Sequence, residues 1–115
     1  MLKNQHNWIF CLKNRRKPFK GMCTVRTKNG EVRGVEIKGV YAWLGIPYAQ
    51  PPVGELRFKP ARPVADWSGV MDASASGPAC FQNRKKASMS EDCLTLNIWS
   101  PKPDRKKRAV MFFIH

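Results

Sequence analysis

A chain of 115 residues is long enough for one small domain and too short for two. Its 43% hydrophobic and 10% aromatic content excludes a solvated low-complexity tail. The net charge of +13 invites a nucleic-acid reading, yet much of it sits in the short runs Arg84-Lys85-Lys86 and Arg105-Lys106-Lys107-Arg108. No helix, aromatic platform or zinc-type spacing accompanies them, so they are expected to be solvated loops and no nucleic-acid partner is expected.

Residues 1–21 hold six basic residues and no acidic one. The apolar run at 8–12 is too short for the core of a secretory signal, and no small-residue cleavage pattern follows it. An organelle-targeting segment would carry more serine. The expectation is a basic, disordered extension upstream of the natural start, with Met22 opening a domain over 22–115. No stretch approaches the length that spans a membrane, so no membrane partner is expected. Cys11, Cys23, Cys80 and Cys93 form no CxxC pair, which argues against a metal site.

Downstream of Met22 the elements follow in order. Asn29-Gly30 is a two-residue turn signal of the type I′ kind, so residues 23–28 and 31–37 are expected to pair as an antiparallel hairpin. A turn at Lys38-Gly39 leads to a strand at 40–46, which stops at Pro47. Five prolines between 47 and 63 (Pro47, Pro51, Pro52, Pro60, Pro63) require an extended loop there. Residues 73–90 are small and polar, again a loop. Leu94, Leu96 and Ile98 alternate with Thr95 and Asn97, a strand with one buried face. Residues 109–114, Ala-Val-Met-Phe-Phe-Ile, are apolar without alternation and read as a strand covered on both faces, typical of a parallel sheet, with a helix the alternative that periodicity alone leaves open. The fold class is therefore α/β: antiparallel strands leading into a central, mostly parallel sheet, with almost no helix in this stretch. Trp43, Trp67 and Trp99 are expected to be packing residues.

Three stretches carry a resemblance. Gly45-Ile46-Pro47-Tyr48-Ala49, with Pro51-Pro52-Val53-Gly54 and Leu56-Arg57-Phe58 after it, resembles an N-terminal motif of the type-B carboxylesterases and cholinesterases. Ser90-Glu91-Asp92-Cys93-Leu94-Thr95-Leu96-Asn97-Ile98 is similar to their second motif. Phe112-Phe113-Ile114-His115 resembles the strand that leads into their His-Gly-Gly-Gly oxyanion loop. In character the chain stands nearest the bacterial para-nitrobenzyl-esterase-like members.

The resemblance implies the N-terminal part of an α/β-hydrolase fold and a serine carboxylic-ester hydrolase acting through an acyl-enzyme. A serine on a Gly-x-Ser-x-Gly elbow attacks the ester, a histidine takes its proton, an acid orients the histidine, and glycine-loop N–H groups hold the oxyanion. No serine of this chain has the two elbow glycines, and its only histidines are His6 and His115. The catalytic nucleophile, acid and base are expected beyond residue 115, so the chain alone is expected to be an incomplete, inactive domain.

The resemblance makes His115 the start of the oxyanion loop. It makes Cys80 and Cys93 a possible disulfide closing a loop near the gorge mouth; two reduced thiols in a cytoplasmic protein are the rival reading. It makes Arg57 and Glu91 a structural ion pair. The loop lacks the tryptophan with which cholinesterases hold choline, and Arg84-Lys85-Lys86 in its place disfavours a cationic substrate. The implied partner is a small carboxylic ester, no cofactor is needed, and the expected compartment is the cytoplasm, with secretion the alternative. A non-catalytic adhesion member of the same fold is the second functional reading, and a small basic nucleic-acid binder the third.

Overall fold

The computed structural model describes residues 10–11, 22–83, 88–104 and 106–114. Six strands make one sheet among these residues: β1 (Phe10–Cys11), β2 (Met22–Arg26), β3 (Glu31–Ile37), β4 (Val40–Pro47), β5 (Val70–Asp72) and β6 (Thr95–Ser100). The order is β1-β2-β3-β4-β6, each neighbouring pair antiparallel, and β5 lies parallel to β3. A single 3-10 turn, Gly54–Leu56, interrupts the proline-rich loop.

The β2–β3 hairpin forms where the sequence places it, with a different turn. Arg26 pairs with Glu31, leaving a four-residue connection. The Thr27 hydroxyl organises it, accepting the N–H groups of Asn29 and Gly30 (both 3.2 Å) and donating to the Gly30 carbonyl (2.8 Å). Asn29 is not in the left-handed region that a type I′ turn requires at both central positions. The two-residue turn with positive φ at both positions is the next one, Lys38 (51°) and Gly39 (79°), between the paired Ile37 and Val40. The hydroxyl satisfies the turn's amides and removes the need for left-handed backbone at Asn29.

The core is built from one side of β2, β3 and β4 together with Ala73, just after β5. Cys23, Val25, Val32, Trp43, Ile46 and Ala73 are buried, and Tyr41, Trp67, Met71, Leu96 and Ile98 pack on them. Each large apolar side chain buried here contributes about 1.5–3 kcal/mol. Trp43 lies against the bare backbone of Gly34, where an added Cβ would come within 2.6 Å of the indole. Its N–H donates to the Cys23 carbonyl at 3.1 Å, so the buried polar atom of the ring is satisfied. Trp67 makes the matching contact to Glu31 O at 2.9 Å. Both indoles are packing residues, whereas Trp99 is mostly exposed.

The structure departs from the sequence reading at four places. β5 was not foreseen; its three residues are too few to show a period. The strand expected at 94–98 begins at Thr95 and runs on to Ser100. Residues 109–114 pair with no strand, and Val110 through Ile114 are between 76% and 94% exposed. A segment apolar on both faces needs a layer on each side and a neighbour at its edges, and the described residues supply neither. Within the segment expected to be a disordered extension, Phe10–Cys11 pairs with Arg26 and Val25; the rest of 1–21 lies outside the described residues.

Candidate functional site

A bulge in β4 sets the position of the loops around a cleft between the segment after β5 and β6. Trp43 pairs with Ile98 and Ile46 with Leu96, so β4 carries one residue more than β6 between these points. The extra residue is accommodated at Gly45, whose φ of 69° is open to glycine at no cost. Gly45 donates its N–H to Asn97 Oδ1 at 2.8 Å, and the Asn97 amide donates to Ser76 Oγ at 3.4 Å. Leu44 N–H reaches Ala73 O at 2.8 Å. The bulge thus pins the loop after β5 against β6.

That loop and β6 enclose a cleft of about 390 Å³, with Ser76, Cys80, Ser88, Cys93, Thr95 and Asn97 among its lining residues. A short bridge fixes its outer wall: Ala79 N–H donates to Ser88 O and Ser90 N–H to Ala79 O, both at 3.0 Å. Cys80 and Cys93 stand on this wall as thiols, Cys80 exposed and Cys93 half-buried. Burial pushes the Cys93 thiol pKa up, and the neighbouring Cys80, which hydrogen-bonds to it, and the Asp92 charge push the same way.

Arg57 and Glu91 sit on separate loops, and Arg57 Nη2 lies 2.6 Å from Glu91 Oε1. Arg57 also spans the ring of Phe58, its guanidinium carbon 5.1 Å from the centroid. Glu91 O accepts the Cys93 N–H at 2.9 Å, so the ion pair ties the proline-rich loop to the cysteine-bearing one. His115 and the basic residues Arg84-Lys85-Lys86 lie outside the described residues.

Chemically, the cleft offers hydroxyls, the amides of Gln82 and Asn97, and two thiols. Among the described residues it brings together no serine, histidine and carboxylate, and no group of three or more His, Cys, Asp or Glu that could hold a metal. It is a wall that can accept and donate hydrogen bonds. Asn97, Thr95 and Ser76 are the lining residues that sequence reasoning missed. The one available signal was the polar face of the alternating strand, where Asn97 and Thr95 point away from Leu96 and Ile98.

The sequence pattern of the Carboxylesterase family matches residues 22–115. The phenmedipham hydrolase of Pseudarthrobacter oxydans is 43% identical over 100 residues, covering 77% of this chain and 20% of that protein. The para-nitrobenzyl esterase of Bacillus subtilis is 42% identical over 99 residues, covering 79% of this chain and 20% of that protein. A solved carboxylesterase of Geobacillus stearothermophilus superposes with a TM-score of 0.68 at 50% identity, over 74% of this chain and 18% of its own. The chain therefore spans about a fifth of the length of the curated relatives it matches.

Proposed function

This chain belongs to the carboxylesterase family, and from that premise we propose that it is the N-terminal segment of a serine carboxylic-ester hydrolase working through an acyl-enzyme. The family acts on small-molecule carboxylic esters. The observation that carries the reading is the unbroken match over residues 22–115, which contains all three motif stretches in order. Two curated relatives named as a hydrolase and an esterase support a catalytic member over an adhesion-type one.

In this reading the segment supplies scaffold and wall. The Gly45 bulge and Asn97 hold the loop after β5, the Arg57–Glu91 pair anchors the loop that carries Cys93, and His115 is the first residue of the oxyanion loop. The nucleophile, general base and orienting acid come from sequence that follows. On its own the chain hydrolyses no ester, because it has no serine between elbow glycines. The reducing cytoplasm is the compartment in which Cys80 and Cys93 persist as thiols.

Reading the gene past the His115 codon tests this. Gly-Gly-Gly immediately after His115, and a Gly-x-Ser-x-Gly further on, are expected. A longer frame with neither motif would overturn the catalytic reading, and an elbow whose serine is replaced would favour the adhesion-type member.

A further inference from the structure

Cys80 and Cys93 line the same cleft, and their backbones are set without any ligand. Ala79, beside Cys80, is bonded to both Ser88 and Ser90 across the bridge. Cys93 is held from both sides, its N–H on Glu91 O at 2.9 Å and its carbonyl under Thr95 N–H at 2.8 Å. Cys80 is exposed and Cys93 half-buried, so both sulfurs can be reached from the cleft.

We propose that Cys80 and Cys93 form a two-sulfur binding site for trivalent organoarsenicals, with the organic group seated in the cleft. Two of the three bonds of such an arsenic centre go to sulfur and the third stays with its carbon. An arylarsonous acid and two thiols give the aryl dithioarsonite and two waters. Each S–H proton leaves on an arsenic-bound oxygen, two As–O bonds break, two As–S bonds form, and nothing is oxidised or reduced. The chemistry suits thiols that enter as S–H, the direction in which burial moves Cys93. The arsenic hydroxide removes the proton itself, whereas a bare divalent cation must first expel it to solvent. A cleft of about 390 Å³ is within the range that accepts a small aryl group. Nothing in this site depends on the ester-hydrolase reading.

The test uses the reduced 115-residue chain and phenylarsine oxide, which hydrates to the arsonous acid. After washing with excess monothiol, intact mass should show one phenylarsenic group per chain, released by a dithiol. Tryptic mapping should find the Cys80 and Cys93 peptides joined through arsenic. Cys80→Ser and Cys93→Ser should each lower the retained label at least tenfold, while the Cys11→Ser/Cys23→Ser chain keeps it. Label that survives either single substitution, a map joining Cys11 to Cys23, or no retained label on the fully reduced chain would each overturn the proposal.

Discussion

The Arg57 guanidinium meets the Glu91 carboxylate at 2.6 Å and is the side-chain contact that joins the proline-rich loop to the segment carrying Cys93. With the two side chains 51% and 36% exposed, water screens much of the attraction. Such pairs contribute about 0–1 kcal/mol. Replacing Glu91 with Gln should therefore raise amide exchange at Ala79 and Ser90 by less than tenfold and leave the sheet amides unchanged. A hundredfold rise would show that the pair holds far more of the loop than its exposure allows.

The Gly45 bulge makes a sharper prediction. An alanine there carries both a left-handed backbone and a Cβ 2.7 Å from Ala75 O and 3.0 Å from Gly77 N. At Gly39, with φ of 79°, the surroundings are open and only the backbone term applies. That term is about 1–2 kcal/mol. Gly45→Ala should weaken the β4–β6 pairing well beyond that figure, and Gly39→Ala by about that figure, read by amide exchange across the two ladders. Equal effects would mean that the loop after β5 yields to the new methyl group.

The basic turn after β6 should respond to acid. Arg108 grips Asp104 through both terminal guanidinium nitrogens, with Nη2 to Oδ2 at 2.9 Å, and Lys106 N–H adds a bond at 3.1 Å. The Arg108 hydrogen bonds, first among these causes, hold the Asp104 pKa down at about 2 from 3.8. A depressed carboxylate pKa stabilises the turn at pH above 3.8, and the contribution disappears as pH falls through about 2. A carboxyl-carbon titration should place the midpoint near 2, and Arg108→Gln should move it towards 3.8. An unshifted midpoint in the parent chain would remove the pair from solution.

Much of this architecture is legible from residue order alone, and the exceptions share a cause. Alternation at 94–98 and the Lys38-Gly39 turn are local properties, so strand β6 and the β3–β4 hairpin are readable within a residue or two. The Asn29-Gly30 signal misleads on turn type because Thr27, outside the dipeptide, supplies the hydroxyl that decides it. β5 is invisible because Val70–Asp72 is defined by β3 beside it and has no pattern of its own. The Gly45 bulge depends on register against β6, which no single strand reveals. Arg57 and Glu91 are nameable only through a family resemblance, since nothing near either residue points to the other. Asn97 carries no signal of its own, because a polar residue on the outer face of a strand is ordinarily just solvated.

The apolar run at 109–114 predicts how the chain behaves in solution. Five consecutive large side chains, Val110 to Ile114, are exposed, and the run is uncharged and β-prone. Ordering it costs about 1–2 kcal/mol per residue of backbone entropy with little burial to offset that. The chain should self-associate at micromolar concentration, and Phe112→Lys with Ile114→Lys should raise the monomer fraction in sedimentation velocity. A parent chain that stays monomeric, with dispersed amide signals for 109–114, would show that the run is covered in some way the fold does not suggest.

Ester hydrolysis in two settings tests the central claim most directly. The 115-residue chain alone, and a chimera joining residues 22–115 to the remaining sequence of the Bacillus subtilis para-nitrobenzyl esterase, are assayed on a short-chain aryl ester. The account predicts background rates for the chain alone, and for the chimera saturable turnover that a serine-directed organophosphate abolishes. Organophosphate-sensitive turnover by the chain alone, or a soluble chimera with cooperative unfolding and no turnover, would contradict it.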